Sequence, residues 1–250
     1  MDKKDRKIKY NEIQLLETIL YEPPSGLFLI DRHIDRLLRS ASFFELKFKS
    51  QEDKNESEKL PFEFVKNVES LEEFKKFLLG EIDKCVRVVV DVDGIPMVTS
   101  STFESKPGNS IIKVKLDTEP TNSENIFLFH KTTHRKVYDV ARKRAGIDQN
   151  NTDIFDVILY NENSEITECS IANIAIEIHD DRANKFKWKT PKIECGLLPG
   201  VMREYLLETR KEEFFEGVVS IEDLKRAQKE GRRILCFNSV RKEYQVMLID

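Results

Sequence analysis

Residues 127–135 read Phe127-Leu128-Phe129-His130-Lys131-Thr132-Thr133-His134-Arg135 and place one lysine directly after an apolar run. The run that begins at Ile126 predicts a strand that ends at about Phe129 or His130. A lysine at the mouth of a strand is partly desolvated, which frees its amine to attack an aldehyde. The alternative is that Lys131 only marks the solvated end of the strand. On this segment alone both interpretations are open.

A second segment sets a carboxylate among small and polar side chains between two apolar strands: Ser164-Glu165-Ile166-Thr167-Glu168-Cys169-Ser170-Ile171-Ala172-Asn173. This pattern predicts a tight polar turn that carries Glu168. If that carboxylate is buried opposite a pyridine nitrogen, it favours the protonated ring by charge pairing. The alternatives are that Glu168 is one of 45 mostly solvated acids, and that Ser170 and Asn173 only satisfy backbone groups.

A third segment has the composition of a turn that enters a helix: Gly196-Leu197-Leu198-Pro199-Gly200-Val201-Met202-Arg203. The backbone N–H groups of Val201 and Met202 could point at a phosphate, and the helix dipole adds to the attraction. An ordinary Pro-Gly turn is the alternative. Arg36, on a helix near the N-terminus, could pair with the same phosphate, or it could be an exposed arginine. A lysine amine, a carboxylate and a phosphate-binding turn together are what pyridoxal phosphate requires.

In this order and spacing, the chain resembles the fold-type IV pyridoxal-phosphate enzymes, the class IV aminotransferase family, over nearly its whole length. The resemblance rests on an opening hairpin with a His-x-x-Arg-Leu helix, on the lysine, glutamate and Gly-turn segments, and on a later one, Phe237-Asn238-Ser239-Val240-Arg241. It implies that Lys131 is the Schiff-base lysine and that Glu168 contacts the pyridine nitrogen. It also implies further cofactor-binding residues: Arg36, Val201, Met202, Asn238 and Ser239.

Within the family, the same segments are similar to the branch of 4-amino-4-deoxychorismate lyases. That branch implies release of pyruvate and 4-aminobenzoate, a folate precursor. Three positions depart from the branched-chain aminotransferases: Met202 replaces a threonine, Lys136 replaces a tyrosine that bonds the cofactor's phenolic oxygen, and Ala175 replaces an aromatic residue. The alternatives are a class IV aminotransferase acting on branched-chain or D-amino acids, and a non-catalytic binding protein with the same fold.

The patterns along the chain predict an α+β structure of two domains. Residues 117–125 are polar, contain a proline and lack periodicity, so they mark the boundary between a domain of residues 1–120 and a domain of residues 121–250 that carries Lys131. The resemblance implies a fold like that of D-amino-acid aminotransferase, with a small N-terminal α/β domain and a larger C-terminal domain of mixed, barrel-like sheet. It also implies a homodimer that acts on a small-molecule amino substrate.

Local patterns predict the individual elements. In the N-terminal half we expect a hairpin over residues 11–30, a helix of about four turns capped by Asp31, a helix containing Leu71, Phe74, Phe77 and Leu78, and strands 85–92 and 111–116 around an Asp93-Gly94 turn. In the C-terminal half we expect helices with Val137, Val140 and Ala141, from Leu197 and from Ile221, and strands 154–160, 173–178, 233–237 and 245–249.

Composition limits the remaining possibilities. A net charge of −4 with interspersed signs argues against a general nucleic-acid binder, which would have a basic face. The sequence has no run of about 18 apolar residues and no apolar N-terminal signal, so we expect a cytoplasmic protein outside the membrane. The four cysteines are scattered without a Cys-x-x-Cys pair, which favours reduced thiols and predicts no metal site.

Overall fold

The computed structural model describes residues 13–51, 85–92, 94–101, 111–148, 153–180 and 184–250. The chain forms two compact units, one of residues up to Phe103 together with Lys131–His134, and one of Glu104–His130 together with Arg135–Asp250. The contacts thus divide the chain after Phe103, whereas the domain boundary at residue 120 stays a prediction. The predicted helix with Leu71 and Leu78 lies outside the described residues.

A four-stranded antiparallel sheet forms the first unit, with strand order β2-β1-β3-β4. Its strands are β1 (Leu15–Glu22), β2 (Gly26–Leu27), β3 (Cys85–Val90) and β4 (Pro96–Ser101). The predicted hairpin is confirmed, because Tyr21 pairs with Leu27 and Glu22 with Gly26. Gly26 has a φ of 83°, a conformation that glycine adopts without steric cost.

The helix α1 (Ile30–Gln51) follows the hairpin and has 22 residues, which makes it longer than the four turns predicted. Its apolar side chains recur at helical spacing and are buried: Ile34, Leu37, Ala41 and Phe44. Asp31 lies inside the first turn and does not precede the helix, so its predicted role as N-cap was wrong. A carboxylate in the first turn still interacts favourably with the helix dipole.

One of the two strands that pair with β3 was not predicted. The sequence suggested that residues 111–116 return after the Asp93-Gly94 turn, but β3 pairs with β4, and β5 (Ile112–Leu116) belongs to the sheet of the second unit. The reason is visible in β4 itself: Met97, Thr99 and Ser100 are exposed, so this edge strand lacks the apolar alternation that identifies strands from sequence.

A mixed eight-stranded sheet forms the second unit, with strand order β10-β9-β8-β11-β12-β5-β6-β7. Its other strands are β6 (Asp156–Tyr160), β7 (Ile166–Cys169), β8 (Asn173–Asp180), β9 (Lys185–Pro191), β10 (Phe214–Gly217), β11 (Ile234–Asn238) and β12 (Lys242–Ile249). Three neighbouring pairs are parallel and the others antiparallel. The predicted α+β class and mixed C-terminal sheet are confirmed.

Three helices accompany this sheet: α2 (Lys136–Arg144), α3 (Val201–Thr209) and α4 (Ile221–Lys229). The helix α4 begins with a capping box, in which Ser220 and Asp223 each accept a hydrogen bond from the other's backbone N–H. Its Leu224 and Ala227 join the core of the sheet. None of the helices in the part of the chain that the structure describes is long and apolar enough to cross a membrane.

Two expectations near Lys131 were wrong. The apolar run Ile126–Leu128 is a 3₁₀ helix and not a strand, because the Asn125 side chain accepts a hydrogen bond from the Phe127 N–H and starts a turn. Val140 was expected on the apolar side of α2 but is 41% exposed. The buried residues are Tyr138 and Ala141 on the helix and Ala145 directly after it. The helix itself lies where the sequence placed it.

Candidate functional site

Lys131 lies on a short extended segment beside β1, within the first unit. The backbone N–H of Leu16 donates to the Lys131 carbonyl over 2.9 Å, and the Thr133 N–H donates to the Gln14 carbonyl, also over 2.9 Å. Lys131 follows a 3₁₀ helix and not a strand. Its carbonyl and the N–H of Thr133 both bond to the chain at β1, which holds the backbone of this segment beside the first sheet.

Arg36 belongs to a group of three buried polar side chains in the first unit that are joined by hydrogen bonds. Its Nε donates to Glu17 Oε1 over 2.9 Å and its Nη2 donates to Glu17 Oε2 over 2.6 Å, while His33 Nδ1 lies 2.6 Å from the same Oε2. Arg36 is only 4% exposed, so the alternative of an exposed arginine is wrong. The two-point contact fixes the plane of the guanidinium.

The charges in this triad follow from its burial. Burial raises the pKa of Glu17, but the charge of Arg36 and the hydrogen bonds from His33 and Arg36 outweigh it and lower that pKa to about 2. Burial lowers the pKa of His33 despite the attraction of Glu17, and the positive charges of Arg36 and Lys131 act in the same direction. The imidazole is therefore neutral and donates through Nδ1, and its buried Nε2 has no hydrogen-bond partner among the residues that the structure describes.

Replacing Glu17 by Gln is expected to lower the free energy of unfolding at pH 7 by about 3–5 kcal/mol, because Arg36 would stay buried without its counter-charge. Because folding depresses the pKa of Glu17 from 4.5 to about 2, the carboxylate stabilises fully above pH 4.5 and loses this effect as the pH falls toward 2. The difference between the two proteins should shrink over that range in urea titrations. The matched control is Asp35→Asn on the exposed face of α1.

Glu168 lies in the second unit on β7, and all four residues of that strand are buried. The expected polar turn was wrong: Glu168 belongs to a strand, and its side chain is 4% exposed. Its Oε1 accepts hydrogen bonds from the Tyr138 hydroxyl over 2.7 Å and from the Leu198 N–H over 3.1 Å. The Asn173 Nδ2 lies 3.4 Å from Oε2. The carboxylate oxygens of Glu168 thus face a hydroxyl, a backbone N–H and a side-chain amide, which are hydrogen-bond donors.

Asn173 links Glu168 to the segment that enters α3. Its Nδ2 also donates to the Leu198 carbonyl over 3.0 Å, so one side-chain amide binds both the carboxylate and the turn. Gly200 lies close to the Asn173 side chain: a Cβ built on Gly200 would lie 1.9 Å from Asn173 Oδ1. A glycine at this position is therefore required by the close approach of Asn173 to the backbone.

We expect Gly200→Ala to displace Asn173 and to cost about 1–3 kcal/mol of stability, the typical cost of forcing an extra carbon into a packed site. The expected cost does not come from the backbone conformation, because the φ of Gly200 is −72°, a value that alanine also adopts. Gly217→Ala is the matched control, because there the nearest atom is the flexible end of Lys189. Thermal unfolding of both variants tests this, and an equal, small effect of the two substitutions would contradict it.

The start of α3 is buried and presents backbone donors. The N-cap is Gly200, which has no side chain to cap the helix. Val201 and Met202, the first two helical residues, are 1% and 5% exposed. The first N–H groups of an α-helix have no partner within the helix. Arg203 anchors this end, because its Nη2 donates to the Pro191 carbonyl over 2.7 Å.

Asn238 is the last residue of β11, and Ser239 is the first residue of the turn to β12. The Asn238 Oδ1 accepts from the N–H groups of Val240 and Arg241 over 3.0 and 2.7 Å, and its Nδ2 donates to the Ile171 carbonyl over 2.9 Å. These bonds hold the turn in which Ser239 is 7% exposed. Asn238 thus organises the backbone around a buried hydroxyl.

The structure distributes the predicted site residues between its units: Arg36 and Lys131 lie in the first, and Glu168, Val201, Met202, Asn238 and Ser239 lie in the second. Sequence reasoning missed Glu17, His33 and Tyr138. A signal existed for Glu17, which lies between Leu15 and Ile19 on the apolar face of β1. Lys136, where the family pattern has a tyrosine, is exposed at the start of α2.

Comparison with known proteins gives consistent matches. The family model described as Amino-transferase class IV matches residues 14–249. A Schizosaccharomyces pombe protein named "Putative aminodeoxychorismate lyase" is 31% identical over 243 residues, which cover 95% of this chain and 90% of that protein.

Solved structures share the fold. A structure of a "Putative amino-acid aminotransferase" from Mesorhizobium loti is 25% identical with a TM-score of 0.72, and the match covers 95% of this chain and 100% of that one. A PLP-bound form of a hypothetical aminotransferase from Mycobacterium tuberculosis has a TM-score of 0.64 at 15% identity, with 94% and 81% of the two chains covered.

Proposed function

The chain belongs to the class IV aminotransferase family, and we propose that within it the protein is a 4-amino-4-deoxychorismate lyase that releases pyruvate and 4-aminobenzoate. The protein is a pyridoxal-phosphate-dependent enzyme. The observation that carries the choice of reaction is the 31% identity, along 95% of the chain, to a protein named as an aminodeoxychorismate lyase. The product 4-aminobenzoate would place the enzyme in folate precursor synthesis.

The donor sets of the two units fit the cofactor. In the second unit, a buried carboxylate held by neutral donors suits the pyridine nitrogen, and buried N–H groups at the start of α3 with the hydroxyl of Ser239 suit a phosphate. In the first unit, Arg36 supplies a rigid cation for the phosphate, and Lys131 supplies the amine for the aldehyde. We assign the cofactor-binding roles on this basis.

When bound, pyridoxal phosphate withdraws electrons from the substrate carbon that carries the amine, so a proton on that carbon becomes removable. Lys131 Nζ would accept this proton as general base. Glu168, a buried carboxyl group, would stabilise the positive charge at the ring nitrogen when ionised. The electron pair of the broken C–H bond would form a new double bond in the substrate ring as the bond to the enolpyruvyl oxygen breaks. The enolpyruvate that leaves would take up a proton and become pyruvate. Arg36 and the backbone N–H groups at the start of α3 would each bind the phosphate, which limits movement of the ring.

A transaminase is the second candidate, and the 25% identity to the Mesorhizobium loti aminotransferase along the whole of that chain favours it. Both reactions begin with proton removal by Lys131. They differ in the next step, because transamination needs a 2-oxo acid that accepts the amino group, whereas elimination of the enolpyruvyl group needs no second substrate.

One assay separates the two reactions. The holoenzyme is incubated with 4-amino-4-deoxychorismate and no amino acceptor, and pyruvate is measured with lactate dehydrogenase while 4-aminobenzoate is measured by its fluorescence. We expect the two products in equal amounts. Absence of pyruvate, together with amino transfer from branched-chain or D-amino acids to a 2-oxo acid, would replace the lyase by the transaminase. Lys131→Ala protein serves as the negative control in both arms.

A further inference from the structure

Tyr138 makes a shorter contact to Glu168 than Leu198 or Asn173 does. Its hydroxyl donates to Oε1 over 2.7 Å, and both residues are buried, at 7% and 4% exposure. The bond joins α2 to β7 within the same unit, between two residues that are 30 positions apart in sequence. A hydrogen bond to an ionised group in a buried setting is among the stronger ones in proteins.

The phenol remains a donor at any pH at which the enzyme works. Burial, together with the negative charge of Glu168 and the hydrogen bond to it, raises the pKa of Tyr138 well above its usual value of 10. The hydroxyl therefore keeps its proton. In the bond the Tyr138 hydroxyl is the donor and Glu168 Oε1 the acceptor.

The ring of Tyr138 is itself held in place. It packs in a cluster of buried apolar side chains, which are Leu128, Ala141, Ala145, Val157 and Leu159. The Arg135 guanidinium lies 4.8 Å from the ring centroid on one face. A tyrosine with its ring fixed by packing and its hydroxyl on one carboxylate oxygen restricts the rotation of that carboxylate.

We propose that Tyr138 is a positioning residue that orients Glu168 toward the ring nitrogen of the cofactor, an inference that rests on the role given to Glu168 in the proposed function. Leu198 N–H and Asn173 complete the arrangement, so the carboxylate is held by one side chain of α2, one backbone group and one side chain of β8. Tyr138 lies seven residues after Lys131, so the segment that supplies the amine also supplies the support of the carboxylate.

The test compares two ligands of the apoenzyme. One is pyridoxal phosphate, and the other is its 1-deaza analogue, in which a C–H replaces the ring nitrogen and leaves nothing for the carboxylate to bind. Dissociation constants are measured by absorption titration for the wild type, Tyr138→Phe, Glu168→Gln and the double variant. Tyr244→Phe is the matched control, since it removes another buried phenol of the same unit, whose ring packs edge-on against Phe155.

We expect Tyr138→Phe to bind pyridoxal phosphate about tenfold more weakly, the size of one lost hydrogen bond to a charged group, and to bind the deaza analogue as the wild type does. In the Glu168→Gln background the same substitution should add little. Equal losses for both ligands would show a merely structural role and overturn the proposal, as would unchanged affinity for both.

The Glu168→Gln arm separates this proposal from the proposed function. In one outcome, the Glu168→Gln protein shows a smaller difference in affinity between the two ligands than the wild type does, while the Tyr138→Phe protein has wild-type affinities. That outcome overturns only the positioning role of Tyr138. If Glu168→Gln discriminates as the wild type does, the assignment of Glu168 to the ring nitrogen fails, and the inference about Tyr138 fails with it.

Discussion

Lys131→Ala is expected to abolish turnover, with a loss of at least about 10⁴-fold in kcat, because the substitution removes both the amine that attaches the cofactor and the general base. The fold should survive, since the contacts that hold Lys131 beside β1 are made by its backbone carbonyl and by the Thr133 N–H. Circular dichroism and thermal unfolding check that the variant is folded before its activity is measured.

Two measurements report on Lys131 separately. Pyruvate release measures turnover, and reduction of the holoenzyme with borohydride followed by peptide mass spectrometry locates the covalently bound cofactor. The wild type should carry the added mass on the peptide that contains Lys131, and the variant should carry none. Lys136→Ala is the control, because Lys136 is exposed at the start of α2. Normal turnover of the Lys131→Ala protein would refute the assignment.

Glu168→Gln is expected to reduce kcat by about 10²–10³-fold, the usual effect of removing one preorganised electrostatic contact in an active site. The glutamine has the same shape and can still accept hydrogen bonds from Tyr138 and Leu198 through one oxygen, so the effect on folding should be small. The variant lacks the negative charge that stabilises the protonated ring.

The corresponding control is Glu162→Gln, because Glu162 is exposed in the turn before β7 and accepts a hydrogen bond from the Ser123 N–H. Its kcat should stay within about twofold of the wild type, as expected for a surface substitution away from the site. A Glu168→Gln enzyme with the same kcat as Glu162→Gln would remove Glu168 from the chemistry.

Local signals in the sequence predicted the elements that local residues determine. The hairpin follows from the Pro23–Gly26 turn between two apolar stretches, and α4 follows from Ser220 and Asp223 at its start. The strands β4, β7, β9 and β10 were missed. For β4 and β9 the reason is that much of their surface is exposed: Lys185 and Phe186 on β9 face water. A strand that buries only part of its length lacks the alternation by which strands are identified.

The sequence predicted which residues form the candidate site, but it could not predict the contacts that each of them makes. The apolar run before Lys131 suggested a strand, but it is a 3₁₀ helix that begins with the hydrogen bond from the Phe127 N–H to the Asn125 side chain. The partners of the site residues are distant in sequence: Arg36 bonds Glu17 from 19 residues away, and Tyr138 bonds Glu168 from 30. Such pairs depend on how strands and helices pack, which spacing along the chain does not encode.

The short segment Lys131–His134 has a consequence for any attempt to express the N-terminal domain by itself. It pairs with the first residues of β1, although in sequence it comes long after that strand. A fragment that stops at residue 120 would lack this segment, and the backbone groups at Gln14 and Leu16 would lose their partners. Unpaired strand edges recruit other chains. Soluble fragments of this protein should therefore extend beyond His134 or supply residues 131–134 as a fused or added peptide.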